Sequence, residues 1–301
     1  MARKKILVIG ANGFTGRRIL DDLSRNLSYQ TTGCSLHDDI CPHSGDYRFI
    51  RMDICNRQEV EKLFQEVQPD AVINASALSV PDYCETHHAE ADAVNITAVE
   101  HLATCCKTRG SRFIHLSTDF VFDGDTDRLY TEEDMPAPVN YYGYTKLEGE
   151  KRIAAVCRDY VIVRVVVVYG TTLPGQHGNV LQLVANRLRS NEEMFVVSDQ
   201  WRTPTFVGDI SQGVEKLINH PQNGIYHLCG SECLTIADIA YRVAEILGLN
   251  RSLIRPVTTK EMDEKTPRPR FSGLSIEKAR RELEYQPHTL DEGIKLMFGL
   301  Q

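Results

Sequence analysis

Tyr142 stands four residues ahead of Lys146 in the run NYYGYTKLEGE at 140–150. On a helix those two side chains share a face. A phenol beside an ammonium is a pairing that can move a proton. Tyrosine ordinarily ionises near pH 10, and a neighbouring cation favours the phenolate and draws that value toward working pH. Tyr141 and Tyr144 lack the spacing and read as packing. Upstream, LSTDFVFDG at 116–124 offers hydroxyls at Ser117 and Thr118 that can hold a carbonyl oxygen. Together these groups suit carbonyl reduction, in which a proton reaches oxygen as hydride reaches carbon. Lys146 is also suited to bind the ribose of the hydride donor. The bland alternative is an ordinary helix-face pair at the surface.

A hydride donor needs a cradle, and the chain supplies one at its start. Residues 10–16 read GANGFTG, with Gly10, Gly13 and Gly16 spaced by Asn12, Phe14 and Thr15. The loop follows the apolar run KILVIG and precedes the helix-period residues Ile19 and Leu23. That is the context of a dinucleotide site: glycines let backbone N–H groups approach a pyrophosphate at the positive end of a helix. The alternative is a tight strand-to-helix turn with no cofactor.

The elements that must position these groups alternate. Apolar runs at KILVIG, RFIRM (48–52), AVIN (71–74), RFIHLS (112–117) and YVIVRVVVVY (160–169) read as buried strands, and helix-period segments lie between them. Such alternation predicts an α/β fold, a doubly wound parallel sheet of Rossmann-like, NAD(P)-binding type. After residue 170 the rhythm loosens, and a smaller mixed α/β C-terminal lobe is expected. The division is 1–170 for the Rossmann-like domain with a return segment 207–228, and 171–206 with 229–301 for the substrate-binding lobe, the chain crossing back once. Thr289 and Glu292 have capping-box spacing.

Composition narrows the partners. The 301 residues carry 41 acidic and 34 basic side chains, a net charge of −7, with no basic tract. That argues against nucleic acid as the main partner. The apolar run after MARKK is about five residues long, short for a signal peptide, and nothing approaches the roughly 20 apolar residues of a membrane span. A soluble, cytoplasmic protein with no membrane partner is expected. Nine cysteines without a CxxC pair read as free thiols, and no metal site is specified.

The GxxGxxG spacing resembles the extended short-chain dehydrogenase/reductase superfamily, and INASALSVPDYCE at 73–85, STDFVFDG at 117–124 and YTEEDMPAPVNYYGYTKLEGE at 130–150 resemble the dTDP-4-dehydrorhamnose reductase family within it. DQWRTPTF at 199–206 and PRPRFSGL at 267–274 carry the likeness through the C-terminal lobe. The resemblance implies Thr118, Tyr142 and Lys146 as the catalytic set, with Thr118 preferred to Ser117. It implies Asp53 and Ile54 at the adenine, Ala75, Ser76 and Ala77 beside the ribose, and Asn95, grouped with these cofactor-binding residues, as the match to a structural asparagine of the family. Asp53 also reads as a helix N-cap. It implies reduction of the 4-keto group of a nucleotide-linked deoxysugar, on the way to dTDP-L-rhamnose, by a homodimer. Ser35, at the expected end of the second strand, tolerates a 2′-phosphate, so NADP(H) is preferred and NAD(H) allowed. Asp38 or Asp39 would take the ribose if that strand ran longer.

The chain also departs from that pattern. Phe120 replaces a tyrosine, and RVVVVYG at 164–170 puts valines where a Thr-Ser-Trp run lines the sugar pocket. By position, Phe120, Asn179, Arg202 and Arg268 are the candidate substrate contacts, although for each arginine a salt bridge is an equal reading. Two other functions compete. One is a regulatory subunit that binds NADP without turnover, like the methionine adenosyltransferase β subunit. The other is a nucleotide-sugar epimerase or dehydratase; dehydration is disfavoured because Phe120, not an acid, follows Asp119.

Overall fold

Strand β1 (Lys4–Ile9) has no solvent face: Ile6 to Ile9 are fully buried, as a central parallel strand requires. In this computed structural model, which describes residues 3–41 and 44–300, β1 is joined by β2 (Tyr29–Ser35), β3 (Tyr47–Arg51), β4 (Ala71–Asn74), β5 (Arg112–Thr118), β6 (Tyr160–Val165) and the later strand Gly224–His227. The seven run in the order Gly224–His227, β6, β5, β4, β1, β2, β3, all parallel. Helices α1 (Phe14–Ser24), α2 (Arg57–Val67), α3 (Pro81–Cys84), α4 (His88–Asp92), α5 (Ala98–Arg109) and α6 (Tyr141–Val156) follow the strands. The core divides accordingly, with Ile19, Leu20 and Leu23 of α1 in one cluster and Val60, Leu63, Val99 and Leu102 of α2 and α5 in the other. The strand order reverses between β1 and β4, and ligands of open α/β sheets bind at the carboxyl ends beside such a point.

The expected long strand 160–169 is two strands. β6 ends at Val165, and Val168–Tyr169 pairs instead with Thr205–Phe206. Between them Val167 adopts φ +37°, a left-handed conformation that a β-branched residue rarely takes. Thr205 holds the kink, its hydroxyl donating to the Val166 carbonyl at 2.7 Å and its N–H to the Val167 carbonyl at 3.2 Å.

The C-terminal lobe packs α7 (Val180–Arg189), Ile236–Ile246 and Leu290–Phe298 around Leu181, Val184, Val243 and Ile294. The capping box at Thr289 and Glu292 is formed. The chain returns to the main sheet twice rather than once. Helix α8 (Val207–Asn219) and the strand Gly224–His227 form the first return. Glu277–Leu283 then comes back as well, with Ile276, Ala279, Leu283 and Tyr285 inside the main cluster. Ala279 and Leu283 are the small apolar face of an otherwise charged helix (EKARREL), and the edge strand gives that face its cover.

Helix α6 is fixed by a buried charge. Glu150 receives Arg164 of β6 through Nε at 3.1 Å and Nη2 at 2.7 Å, and the Ser117 hydroxyl of β5 at 2.5 Å. Both charged side chains are almost wholly buried. Removing one partner strands the other in a dry site, a cost of about 3–5 kcal/mol. Arg164→Met is therefore expected to destabilise by that amount in denaturant unfolding. The double variant Arg164→Met/Glu150→Leu is expected to recover most of it.

Candidate active site

A cleft of about 720 Å³ opens at the carboxyl ends of β1, β4 and β5. It is lined by the glycine loop with Ala75 and Ala77, by Thr118, Phe120, Tyr142 and Lys146, and by the segment 175–180 and Arg268; Gln176 of that segment donates to the Asn12 carbonyl at 3.0 Å. A second hollow of about 230 Å³ meets it at Ala77 and is lined by Gly10, Ser35, Asp53, Ile54 and Ser76. The two together form a trough along the sheet edge from Ser35 to Tyr142.

The loop is built to receive an anion. Gly10 sits at φ +77°, and a Cβ there would lie 2.6 Å from the Ser76 nitrogen, so only glycine fits. A Cβ on Gly16 would overlap the Gly10 carbonyl. Gly13 caps α1 with no side-chain acceptor, and the first turn holds no acidic residue. The first N–H groups of α1 are left for a ligand, which is the arrangement a pyrophosphate uses. Phe14 and Thr15 line the same cleft. The Asn12 carboxamide is committed elsewhere, donating to the His37 and Asp38 carbonyls at 3.2 and 2.8 Å.

At the far end, β2 stops at Ser35. Asp39 is claimed by Arg17 and by the Tyr47 hydroxyl, 2.8 Å away, so it is not a ribose ligand here. The sequence concealed an arginine at this end. Parallel register sets Arg51 of β3 opposite Ser35, its Nε donating to the Leu36 carbonyl at 3.2 Å and its side chain otherwise exposed. Asp53 is not the helix cap: Asn56 caps α2, accepting from the Gln58 and Glu59 N–H groups. The cofactor reading of Asn95 is corrected too. Asn95 is buried in a π-helical turn (Ala93–Thr97). Its carboxamide exchanges bonds with Leu78 and donates to the Thr145 hydroxyl. It braces α6 and lines neither hollow.

Tyr142 and Lys146 both reach the cleft. Tyr141 instead bonds Asp92 at 2.9 Å and stacks on His88, and Tyr144 is 45% exposed. The expected effect of the lysine on the tyrosine is not what the geometry gives. Burial pushes the Tyr142 phenol up, a hydrogen bond with Thr118 opposes this, and the Asp119 carboxylate adds to the rise. Tyr142 is thus held protonated, as a proton donor must be. Lys146 points into the sheet, donating to the Leu116 carbonyl at 2.8 Å with its Nζ 3.1 Å from His115 Nε2. Burial pulls its ammonium down to about 8, against Glu150, which acts the other way. His115 was missed by motif reading; the one signal was a histidine inside a strand buried along its whole length.

Thr118 donates to Asp119 at 3.0 Å, and Asp119 accepts from Ser272 and faces Arg202 at 3.9 Å. Arg202 is therefore withdrawn as a substrate contact. It is 2% exposed, and its guanidinium is occupied by Gln200 and by the carbonyls of Trp201, Pro269 and Arg270. Arg268 lines the cleft, 35% exposed and loosely paired with Asp82 and Glu264 at 3.8 and 3.5 Å. Asn179 also lines it, but its side chain caps α7 and donates to the Gly170 carbonyl. Among the described residues no group of three or more His, Cys, Asp or Glu is placed to hold a metal, and no helix is long and apolar enough to cross a membrane.

The family model described as RmlD substrate binding domain matches residues 4–299. The chain is 33% identical over 290 residues to the Probable low-salt glycan biosynthesis reductase Agl14 of Haloferax volcanii, covering 95% of each chain. It is 32% identical over 271 residues to methionine adenosyltransferase 2 subunit beta of Xenopus laevis, covering 88% of this chain and 78% of that one. The crystal structure of dTDP-4-dehydrorhamnose reductase from Bacillus anthracis in complex with NADP superposes with a TM-score of 0.85 at 25% identity, over 98% of this chain and 99% of that one.

The two arginines separate in a stability measurement. Arg202→Met leaves Asp119 buried without its cation and is expected to cost about 3–5 kcal/mol. Arg268→Met loses only half-exposed, long-range pairs and is expected to cost about 1 kcal/mol or less. Urea unfolding of both variants checks this.

Proposed function

We propose that this chain, which belongs to the RmlD substrate binding domain family of extended short-chain dehydrogenases/reductases, is an NAD(P)H-dependent reductase of the 4-keto group of a nucleotide-linked deoxysugar. The observation that carries the reading is the meeting of Thr118, Tyr142 and Lys146 in a cleft that the glycine loop also lines. The bound dinucleotide supplies the hydride. Thr118 holds the substrate oxygen, Tyr142 gives it a proton, and Lys146 holds the ribose. The backbone of Gly10 to Gly16 receives the pyrophosphate, and Asp53, Ile54, Ser76 and Ala77 enclose the adenosine end. Phe120, Asn179 and Arg268 face the sugar nucleotide. Ser35 with Arg51 favours NADPH, because a guanidinium there can pair a 2′-phosphate and β2 ends on a hydroxyl rather than a carboxylate.

A second reading is a nucleotide-binding subunit without turnover. The subunit-beta relative favours it, as does the valine wall of Val165, Val167 and Val168, which offers a substrate no hydroxyl. NADPH oxidation against a panel of 4-keto nucleotide sugars decides. Turnover of one member supports the reductase; tight NADPH binding with no turnover on any supports the subunit.

Tyr142→Phe is expected to fold, bind NADPH and lose roughly 10²- to 10⁴-fold in turnover, about 3–5 kcal/mol of transition-state stabilisation. Tyr141→Phe and Tyr144→Phe are expected to stay within a few-fold. Steady-state rates check all three, and a near-normal Tyr142→Phe rate refutes the mechanism. Arg51→Ala is expected to weaken NADPH binding about tenfold or more and to leave NADH unchanged, as read by calorimetry. Equal losses for both cofactors would remove Arg51 from the 2′-phosphate.

A further inference from the structure

The hydrogen bonds behind Lys146 do not admit an arbitrary set of protons. Asn74 Oδ1 accepts from the Ser76 backbone N–H at 3.1 Å and from the Ser76 hydroxyl at 2.5 Å. A backbone N–H can only donate, so the carboxamide cannot flip. Its Nδ2 faces His115 Nδ1 at 3.0 Å and must donate to it. A neutral imidazole has one acceptor nitrogen, which Asn74 thus occupies. His115 Nε2 therefore carries the proton, and it faces Lys146 Nζ at 3.1 Å. An ammonium there would set donor against donor. An amine resolves the conflict, accepting from Nε2–H while donating to the Leu116 carbonyl. Asn74 and His115 are fully buried and Lys146 is 2% exposed, so bulk water does not relieve the constraint.

We propose that His115 is a positioning residue for the reaction assigned above: oriented by Asn74, its Nε2–H donates to Lys146 and biases that residue toward the uncharged amine in the cofactor-free protein. The inference rests on the reading of Lys146 as part of the active site. Its consequence is that Lys146 can gain or lose a proton near neutrality. Burial acts on Lys146 in the same direction. Imidazolium formation is no alternative, because burial holds His115 well below the ordinary histidine range and Asn74 Nδ2 occupies Nδ1 as a donor. The other charged or titratable groups around Lys146 are few. Glu150 lies one turn along α6 and is bound to Arg164 of β6, and Tyr142 lies one turn back. Asp119 is tied to Arg202 and Ser272. His177 and Arg268 line the same cleft.

Nuclear magnetic resonance of protein labelled with ε-¹³C-lysine reads this without cofactor or sugar, so its failure is distinct from failure of the proposed reaction. The Lys146 signal is identified by its loss in Lys146→Met. In the unaltered protein it is expected to titrate near 8. Asn74→Asp keeps the Ser76 bonds but replaces the donor facing His115 with an acceptor. The imidazole then moves its proton to Nδ1, Nε2 accepts from the ammonium, and the Lys146 titration is expected to rise by about one pH unit or more. His115→Gln, which can turn its carboxamide oxygen to Lys146, is expected to do the same. In His115→Gln, which adds no charge, a merely structural role would lower stability and leave the titration in place. An unaltered protein whose Lys146 titrates at the ordinary lysine value of about 10.4 overturns the proposal. So does an unmoved titration in His115→Gln, checked for folding by circular dichroism.

Discussion

The buried Glu150 carboxylate sets where the candidate site can be. Helix α6 carries Tyr142, Lys146 and Glu150 at four-residue intervals along one face, and Glu150 is the anchor of the three. It binds Arg164 from β6 and Ser117 from β5, so the helix cannot rotate without stranding a charge in a dry interior. Two glycines let the helix come close enough for this. A Cβ on Gly149 would lie 2.5 Å from the Asn95 carbonyl, and one on Gly143 would overlap the Phe120 carbonyl. The pair itself adds little net stability over an apolar equivalent. Its effect is on geometry, holding Tyr142 and Lys146 over the end of β5.

A second buried charge ties the lobe to the sheet. Asp119 follows Thr118 directly and is bonded to Ser272 and faced by Arg202, both from the C-terminal lobe. The hydroxyl nearest the proposed chemistry is thereby bonded to the group that registers the lobe. Arg268 lines the cleft from that lobe, and the Pro267 carbonyl just before it accepts from Asn140, the residue that caps α6. Thr118, Tyr142 and Arg268 of the cleft are thus held by one set of contacts between sheet and lobe.

The kink at Val167 lies on the lining of the cleft. A β-branched residue at positive φ is strained, and such strain persists only where the surroundings impose it. Thr205 imposes it by binding the carbonyls on either side. The kink sends β6 into the main sheet and Val168–Tyr169 into the lobe, and it turns Val165, Val167 and Val168 toward the cleft. That valine wall is the stretch in which the sequence departs from the pattern it otherwise resembles.

The linear sequence determined the parts whose physics is local. Glycine spacing after a buried strand, a tyrosine and lysine one helical turn apart, and the alternation of apolar runs with helix-period segments each depend on neighbours within a few residues, and they made the parallel sheet, the loop and the Tyr142–Lys146 face legible. What the sequence left open depended on partners far along the chain. Arg202 and Arg268 look alike in sequence, yet one is folded inward onto Asp119 and the other lines the cleft. Arg51 meets Ser35 only through strand register, and His115 meets Lys146 only because β5 passes beneath α6. The run 160–169 breaks in two because Thr205 pulls on its carbonyls, and Glu277–Leu283 joins the main core because an edge strand covers its narrow apolar face. Burial and long-range hydrogen bonding decide which side chain is free to act, and neither is set until the chain has folded.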